Sequence, residues 1–437
     1  MAKNLLRNRF CNGNDRRICG DASLHVEMTA TLRARLMAAL LAALGLLQGC
    51  GGASDGGSAA AASGSGSVAL TGANVLPISV GPGLSNNLNQ AFASVTLCAP
   101  GSTNCQTIDN IFVDTGSSGL RILSSALSAS LALSQQVDAN GNSLVECAHF
   151  VDGYTWGPVK RADLKLAGEQ ANSLPIQVIG DPGFPAVPAR CAATGPSKSS
   201  VNELHANGIL GLSVFRQDCG SGCTLPNNLG IYYSCTSAAC TQAQVPLAQQ
   251  VPNPVSLFAV NNNGVMIQLP PVPSSGTARL DGSLVFGIGT QANNGLGAAK
   301  VIGVNPGSGN FTTLYKGSTY SASFIDSGSN GLFFQDNSLP VCANTSAAPG
   351  FYCPASTLNA SASIHGTNGA DATVSFSIAN AVALLSASPG FAAFINIGAP
   401  FAANGFDWGL PFFYGRNVYT AIEGAGTPAG PGPYVAF

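Results

Sequence analysis

The sequence predicts a mostly β chain built as two lobes, and three observations carry that expectation. At 437 residues the chain exceeds what one hydrophobic core usually fills, so two core-bearing units are expected. Its 53 Gly and 26 Pro, with many Ser, Thr and Asn, interrupt short runs of Val, Ile, Leu and Phe, the pattern of strands joined by turns. One motif also occurs twice, over 111–120 and 323–332, with its two Asp residues 212 positions apart. An interval of that size fits one copy per lobe rather than a solenoid.

Composition also excludes several functions. Only 9% of residues are Asp, Glu, Lys or Arg and the formal charge is -2, so no basic face is available to grip a phosphate backbone. Nucleic acid is therefore not an expected partner. No Gly-x-Gly-x-x-Gly or phosphate loop follows a strand and opens a helix, and no nucleotide cofactor is expected. His25, His149, His205 and His365 are scattered, and none lies near a Gly-x-Ser-x-Gly elbow, which leaves a serine-hydrolase triad without support.

Residues 1–49 read as a leader. Arg33 and Arg35 precede the apolar stretch Leu36 to Leu47, which is too short to span a bilayer but suits the core of a signal peptide. Met28 opens a leader of more usual length, so translation can start there. The stretch ends Leu47-Gln48-Gly49-Cys50, which resembles the lipobox of bacterial lipoproteins. That resemblance implies cleavage before Cys50 and a lipid on its thiol. The protein would then be exported and anchored to the membrane, in the periplasm or at the outer membrane or cell surface. Residues 50–70 form the lipidated cysteine and a tether, because 51–67 is almost wholly Gly, Ala and Ser and buries too little apolar surface to offset its ordering entropy. An N-terminal lobe over 71–268 and a C-terminal lobe over 269–437 follow.

Apart from Cys11, Cys19 and Cys50, ten of the 13 cysteines remain, an even set that suits disulfides in an exported chain. Cys98 with Cys105 and Cys342 with Cys353 are the easiest local bridges. Pairing among Cys219, Cys223, Cys235 and Cys240 stays open, and Cys147 and Cys191 make up the ten. The Cys219-x3-Cys223 and Cys235-x4-Cys240 spacings loosely imitate a four-thiolate zinc site, but their irregularity and the leader argue against it. No metal or other cofactor is expected.

The duplicated motif is the informative signal. Ile111-Phe112-Val113-Asp114-Thr115-Gly116-Ser117-Ser118-Gly119-Leu120 matches Ser323-Phe324-Ile325-Asp326-Ser327-Gly328-Ser329-Asn330-Gly331-Leu332. Each copy is an apolar strand ending in Asp, a tight Ser/Thr-Gly turn, and a second apolar segment. A single copy would be an ordinary Asx turn at a strand end. Each copy, however, has a further strand candidate downstream: the apolar-apolar-Gly segment Asn207-Gly208-Ile209-Leu210-Gly211-Leu212 after the first, and Phe406-Asp407-Trp408-Gly409 at the corresponding place after the second. Gly282-Ser283-Leu284-Val285-Phe286-Gly287 resembles the hairpin that opens the second lobe of pepsin-like aspartic proteases, and Arg416 to Ile422 resembles their final strand. In this order the motifs resemble those of pepsin-like aspartic proteases over most of residues 74–437.

The resemblance implies a bilobal fold, with two pseudo-twofold-related β lobes and a cleft between them. It implies an aspartic endopeptidase with Asp114 and Asp326 as the catalytic pair, acting as a monomer on a peptide or protein substrate. Chemically, two carboxylates a few Å apart cannot both ionise, so one is the anion that takes a proton from water and the other the acid that donates to the amide carbonyl. Gly116 and Gly328 would let the backbone approach and offer N–H groups to the carboxylates. Thr115 and Ser327 hydroxyls would cross-link the loops, and Ser117 and Ser329 would bond the outer carboxylate oxygens.

The sequence departs from the family at the hairpin that carries a Tyr over the cleft. Phe150 stands where that Tyr is expected, and Tyr154 and Trp156 are the other candidates to cover the cleft. Only the neutral tether separates Cys50 from the first expected strand, so no activation segment is expected. The competing reading is a non-catalytic peptide- or glycan-binding lipoprotein on the same scaffold; members of that kind usually lose one Asp, whereas both are present here.

Overall fold

The computed structural model describes residues 70–226 and 229–437. The leader, Cys50 and the tether to residue 69 lie outside the described residues. The described chain is mostly β: sixteen strands form one sheet, seven a second, and two a small ribbon. Helical segments are short, such as Ala381–Ala387. Among the described residues no helix is long and apolar enough to cross a membrane.

Both motif Asp residues end a buried apolar strand. Cys105–Asp114 is part-exposed at its start, then buried without a break from Ile111 to Asp114. Such a run marks a strand covered on both faces, which is why Ile, Phe and Val precede the Asp. Ser318–Ile325 likewise ends on buried Phe324 and Ile325, with Asp326 next. Each Asp strand pairs in parallel with a strand far downstream. Asp114 stands opposite Gly211 in Gly208–Leu212, and Ile325 opposite Trp408 in Phe406–Trp408.

Each downstream strand also pairs antiparallel with the segment leaving its own Asp loop, Gly119 opposite Gly211 and Leu332 opposite Trp408. This is where the apolar-apolar-Gly pattern acquires its reason. A Cβ on Gly211 would come within 2.8 Å of the backbone of Ser118 and Gly119, and one on Gly409 would overlap the carbonyl oxygens of Ser329 and Gly331. Only glycine lets these strands pass so close to the loops.

The first Asp strand belongs to the larger sheet and the second to the smaller. The boundary expected at 268/269 falls inside the strand Gly264–Leu269, whose run of apolar residues is held by pairing on both sides. Leu280–Phe286, read from the sequence as opening the second lobe, pairs with that strand and with Val75–Val80. It therefore lies in the same sheet as the first Asp strand.

All ten expected cysteines pair, as Cys98–Cys105, Cys147–Cys191, Cys219–Cys223, Cys235–Cys240 and Cys342–Cys353. The pairing left open among the four at 219–240 is thus two short local loops. Only Cys147–Cys191 closes a long one, of 44 residues. By loop entropy that bridge stabilises by about 4 kcal/mol and the short ones by about half as much. Cys147→Ser with Cys191→Ser is expected to cost the most in urea unfolding. A loss no greater than that from removing Cys235–Cys240 would contradict this ranking.

Candidate active site

The two Asp loops meet in the interior and are bonded to one another. Thr115 N–H donates to Ser327 Oγ at 3.1 Å, and Ser327 N–H donates to Thr115 Oγ1 at 2.9 Å. Ser327 Oγ in turn donates to Val113 O at 2.9 Å, one residue before Asp114. This reciprocal set of buried bonds spans 212 residues of sequence and fixes one loop against the other.

Within each loop the carboxylate is held in the same way. Asp114 accepts from Gly116 N–H at 2.8 Å and from Ser117 Oγ at 2.5 Å. Asp326 accepts from Gly328 N–H at 2.7 Å and from Ser329 Oγ at 2.8 Å. The structure therefore brings together eight residues selected from the sequence, Asp114, Thr115, Gly116, Ser117, Asp326, Ser327, Gly328 and Ser329. A Cβ on Gly328 would overlap the Oδ1 atoms of both Asp114 and Asp326, so the two carboxyl groups flank a space that only glycine leaves open.

Asp114 and Asp326 are fully buried, and an Oδ1 atom of each lies beside Gly328. Burial, and after it the charge of Asp326, pushes Asp114 up to about 7. Burial also raises Asp326, with the charge of Asp407 adding to it. Each charge disfavours a second one so close by in the buried site, so the two carboxyls titrate as a coupled pair.

The hairpin over 143–166 carries the three flap candidates. Phe150, Tyr154 and Trp156 are all buried, at 1%, 7% and 2% exposure. Phe150 lies in one apolar cluster with Phe112 and Ile209, beside the first Asp strand. Trp156 packs edge-on against Tyr233 and donates Nε1–H to Phe184 O at 2.9 Å. Tyr232–Cys235 pairs with the outer strand of the hairpin, Ser143–Phe150, and Cys147–Cys191 ties that strand down. Lys198 Nζ lies 3.1 Å from Asp152 at the hairpin turn. These contacts make the three aromatics core residues of a braced hairpin. They arise from pairings 44 to 92 residues away, which sequence reasoning did not reach.

Two functional neighbours were missed. Asp407 accepts from, or donates to, Ser329 Oγ at 2.7 Å. Arg121, three positions after Ser118 in an otherwise apolar strand, is fully buried and donates to Ser118 O at 2.8 Å and to Glu146 on the hairpin at 2.5 Å. The available signal was a charged residue inside each apolar strand, Phe-Asp-Trp and Gly-Leu-Arg-Ile, where an unpaired charge could not be buried. Cys50, the expected lipid site, lies outside the described residues.

Among solved structures the chain is similar to an aspartic proteinase from Irpex lacteus, at 15% identity and a TM-score of 0.48, over 83% of this chain and 96% of that one. No curated protein matches it. A family model described as "Protein of unknown function (DUF3443)" matches residues 70–437, nearly the whole described chain. The chain belongs to the DUF3443 family.

Proposed function

We propose that the protein is an aspartic endopeptidase that hydrolyses peptide bonds by activating water between Asp114 and Asp326. The observation that carries this reading is the pair itself: two buried carboxyls from duplicated loops, side by side at Gly328 and each held by a backbone N–H and a Ser hydroxyl. The ionised member takes a proton from the attacking water while the neutral member donates to the carbonyl oxygen, so the tetrahedral intermediate forms without a covalent nucleophile. In this reading the two Asp loops come from two lobes related by a pseudo-twofold, with extended peptides lying between them. Five disulfides support an oxidising, exported setting, and a lipid on Cys50 would hold the monomeric enzyme at the membrane.

The test is a peptide library incubated with purified protein from about pH 3 to about pH 7, beside an Asp114→Asn/Asp326→Asn double variant. Cleavages made by the wild type and missing from the double variant are expected. A wild type that cuts nothing the double variant spares would sink the enzyme reading. The braced hairpin, with its aromatics packed inward, favours a second reading in which the scaffold binds peptides without turnover. Binding of a statine-type peptide with no cleavage of any library member would select that alternative.

Gly328→Ala supplies a sharper check on geometry. The added methyl would occupy the space between the two carboxyls and force them apart, so kcat/KM is expected to fall on the order of 100-fold. Activity within about threefold of wild type would show that the carboxyl spacing is not what limits turnover.

A further inference from the structure

The serine that holds each carboxylate has different surroundings in the two loops. In the first, Ser117 Oγ bonds Asp114 Oδ2, and the residue of the neighbouring strand two before its glycine is the buried Ile209. In the second, the corresponding residue is Asp407, and Ser329 Oγ lies 2.8 Å from Asp326 Oδ2 and 2.7 Å from Asp407 Oδ2. Asp407 is 4% exposed. Its flanking residues Phe406 and Trp408 stack on each other at 4.2 Å, on the opposite face of the strand by the alternation of side chains.

A serine hydroxyl has one hydrogen, and here it bridges two carboxyl oxygens. Both contacts are hydrogen bonds only if one of the two carboxyls brings a proton of its own. If that proton sits on Asp326, Ser329 donates to Asp407 and Asp326 is the neutral member of the pair. If it sits on Asp407, Ser329 donates to Asp326 and Asp326 is free to be the anion. The state of Asp407 therefore selects which role Asp326 takes.

We propose that Asp407 is a third, proton-holding carboxyl that donates to Ser329, directs the Ser329 hydrogen onto Asp326 Oδ2, and so makes Asp326 the ionised member of the pair. Asp407 is then a positioning residue acting through Ser329, and the proposal rests on the peptidase reading above. Another influence agrees. After burial, a charge on Asp407 is the next cause raising Asp326, so ionising Asp407 would drive a proton onto Asp326. The titratable groups near Asp407 include Asp326, which its charge acts on directly. Of the strands flanking Asp407, Leu332–Phe334 has no titratable side chain and Ser318–Ile325 has only Tyr320, whose hydroxyl donates to Gln335 O at 2.6 Å.

The sign follows: as pH rises through the ionisation of Asp407, Asp326 loses its role as base and turnover falls. Asp407→Asn keeps a neutral N–H donor that cannot ionise. Asp407→Leu removes the donor. The test combines a carbon-13 carboxyl titration of Asp-labelled protein with kcat/KM profiles of wild type, D407N and D407L. At about pH 6 the Asp407 carboxyl is expected to resonate as a neutral acid, with Asp326 ionised in D407N as in wild type.

D407N is expected to extend the basic limb of the profile to higher pH. D407L is expected to lower kcat about tenfold with KM little changed, and to move Asp326 ionisation up by about one pH unit. An ionised Asp407 at that pH in wild type, or identical Asp326 titrations in D407N and D407L, would overturn the proposal. Should D407L not fold, the wild-type and D407N titrations still decide. Should the wild type hydrolyse no peptide at all, the peptidase reading fails while the carboxyl titration still reports on Asp407.

Discussion

Asp326→Asn is expected to lower kcat for peptide hydrolysis on the order of 10,000-fold, and Asp114→Asn to do so as severely, with KM changed by no more than about threefold. Asparagine matches the carboxylate in shape and can keep the bonds from Gly328 N–H and Ser329, so the loop should stand while the shared proton is lost. Because the two carboxyls act as one unit, the double variant should be scarcely worse than either single one. A single variant retaining a tenth of wild-type kcat would mean that the reaction does not pass through the pair.

The same substitutions alter stability in a direction the buried pair dictates. Asp114 is raised from its ordinary value of 3.8 to about 7. An acid whose pKa is raised on folding contributes stability that is fully present below about pH 4 and lost as pH climbs through about 7. The wild type should therefore melt at a progressively lower temperature from about pH 4 to about pH 7, and Asp114→Asn should flatten that decline. Equal slopes for the two proteins would place the titration elsewhere.

The second large effect is expected at Arg121. Its guanidinium lies 2.5 Å from Glu146 and 3.4 Å from Asp218, and all three side chains are fully buried. Asp218 also accepts from Tyr232 Oη at 2.7 Å, and burial with the neighbouring Glu146 charge holds its pKa well above the usual carboxylate range. One cation thus faces two acids. Arg121→Leu would leave Glu146 buried without its counter-charge and is expected to cost about 3–5 kcal/mol in urea unfolding. Adding Glu146→Leu should recover part of that loss, because the uncompensated charge goes with it. Arg121 Nη1 also holds Ser118 O, four residues after Asp114, so the single variant should lose activity even where it remains folded. A cost below about 1 kcal/mol would show the cluster to be energetically idle.

Much of this arrangement was legible in the residue order. A short apolar run, an Asp and a Ser-Gly turn form a strand-end loop wherever they occur, and two copies a domain apart imply that the loops meet. The glycines of Gly208–Leu212 and Gly409 were legible too, since only a residue without Cβ can pass against those loops. Pairing of cysteines seven and eleven residues apart needs no more than chain reach. These features are local, and local sterics decide them.

What the residue order left open depends on distant partners. Whether Phe150 covers a cleft or fills a core is decided by Tyr232–Cys235 pairing with its strand and by Cys191 reaching Cys147, neither of which leaves a mark near residue 150. Asp407 reads as one polar residue in a strand until Ser329, 78 positions away, is placed 2.7 Å from it. Charge and hydrogen bonding at these sites act over a few Å, and folding alone sets which residues come that close.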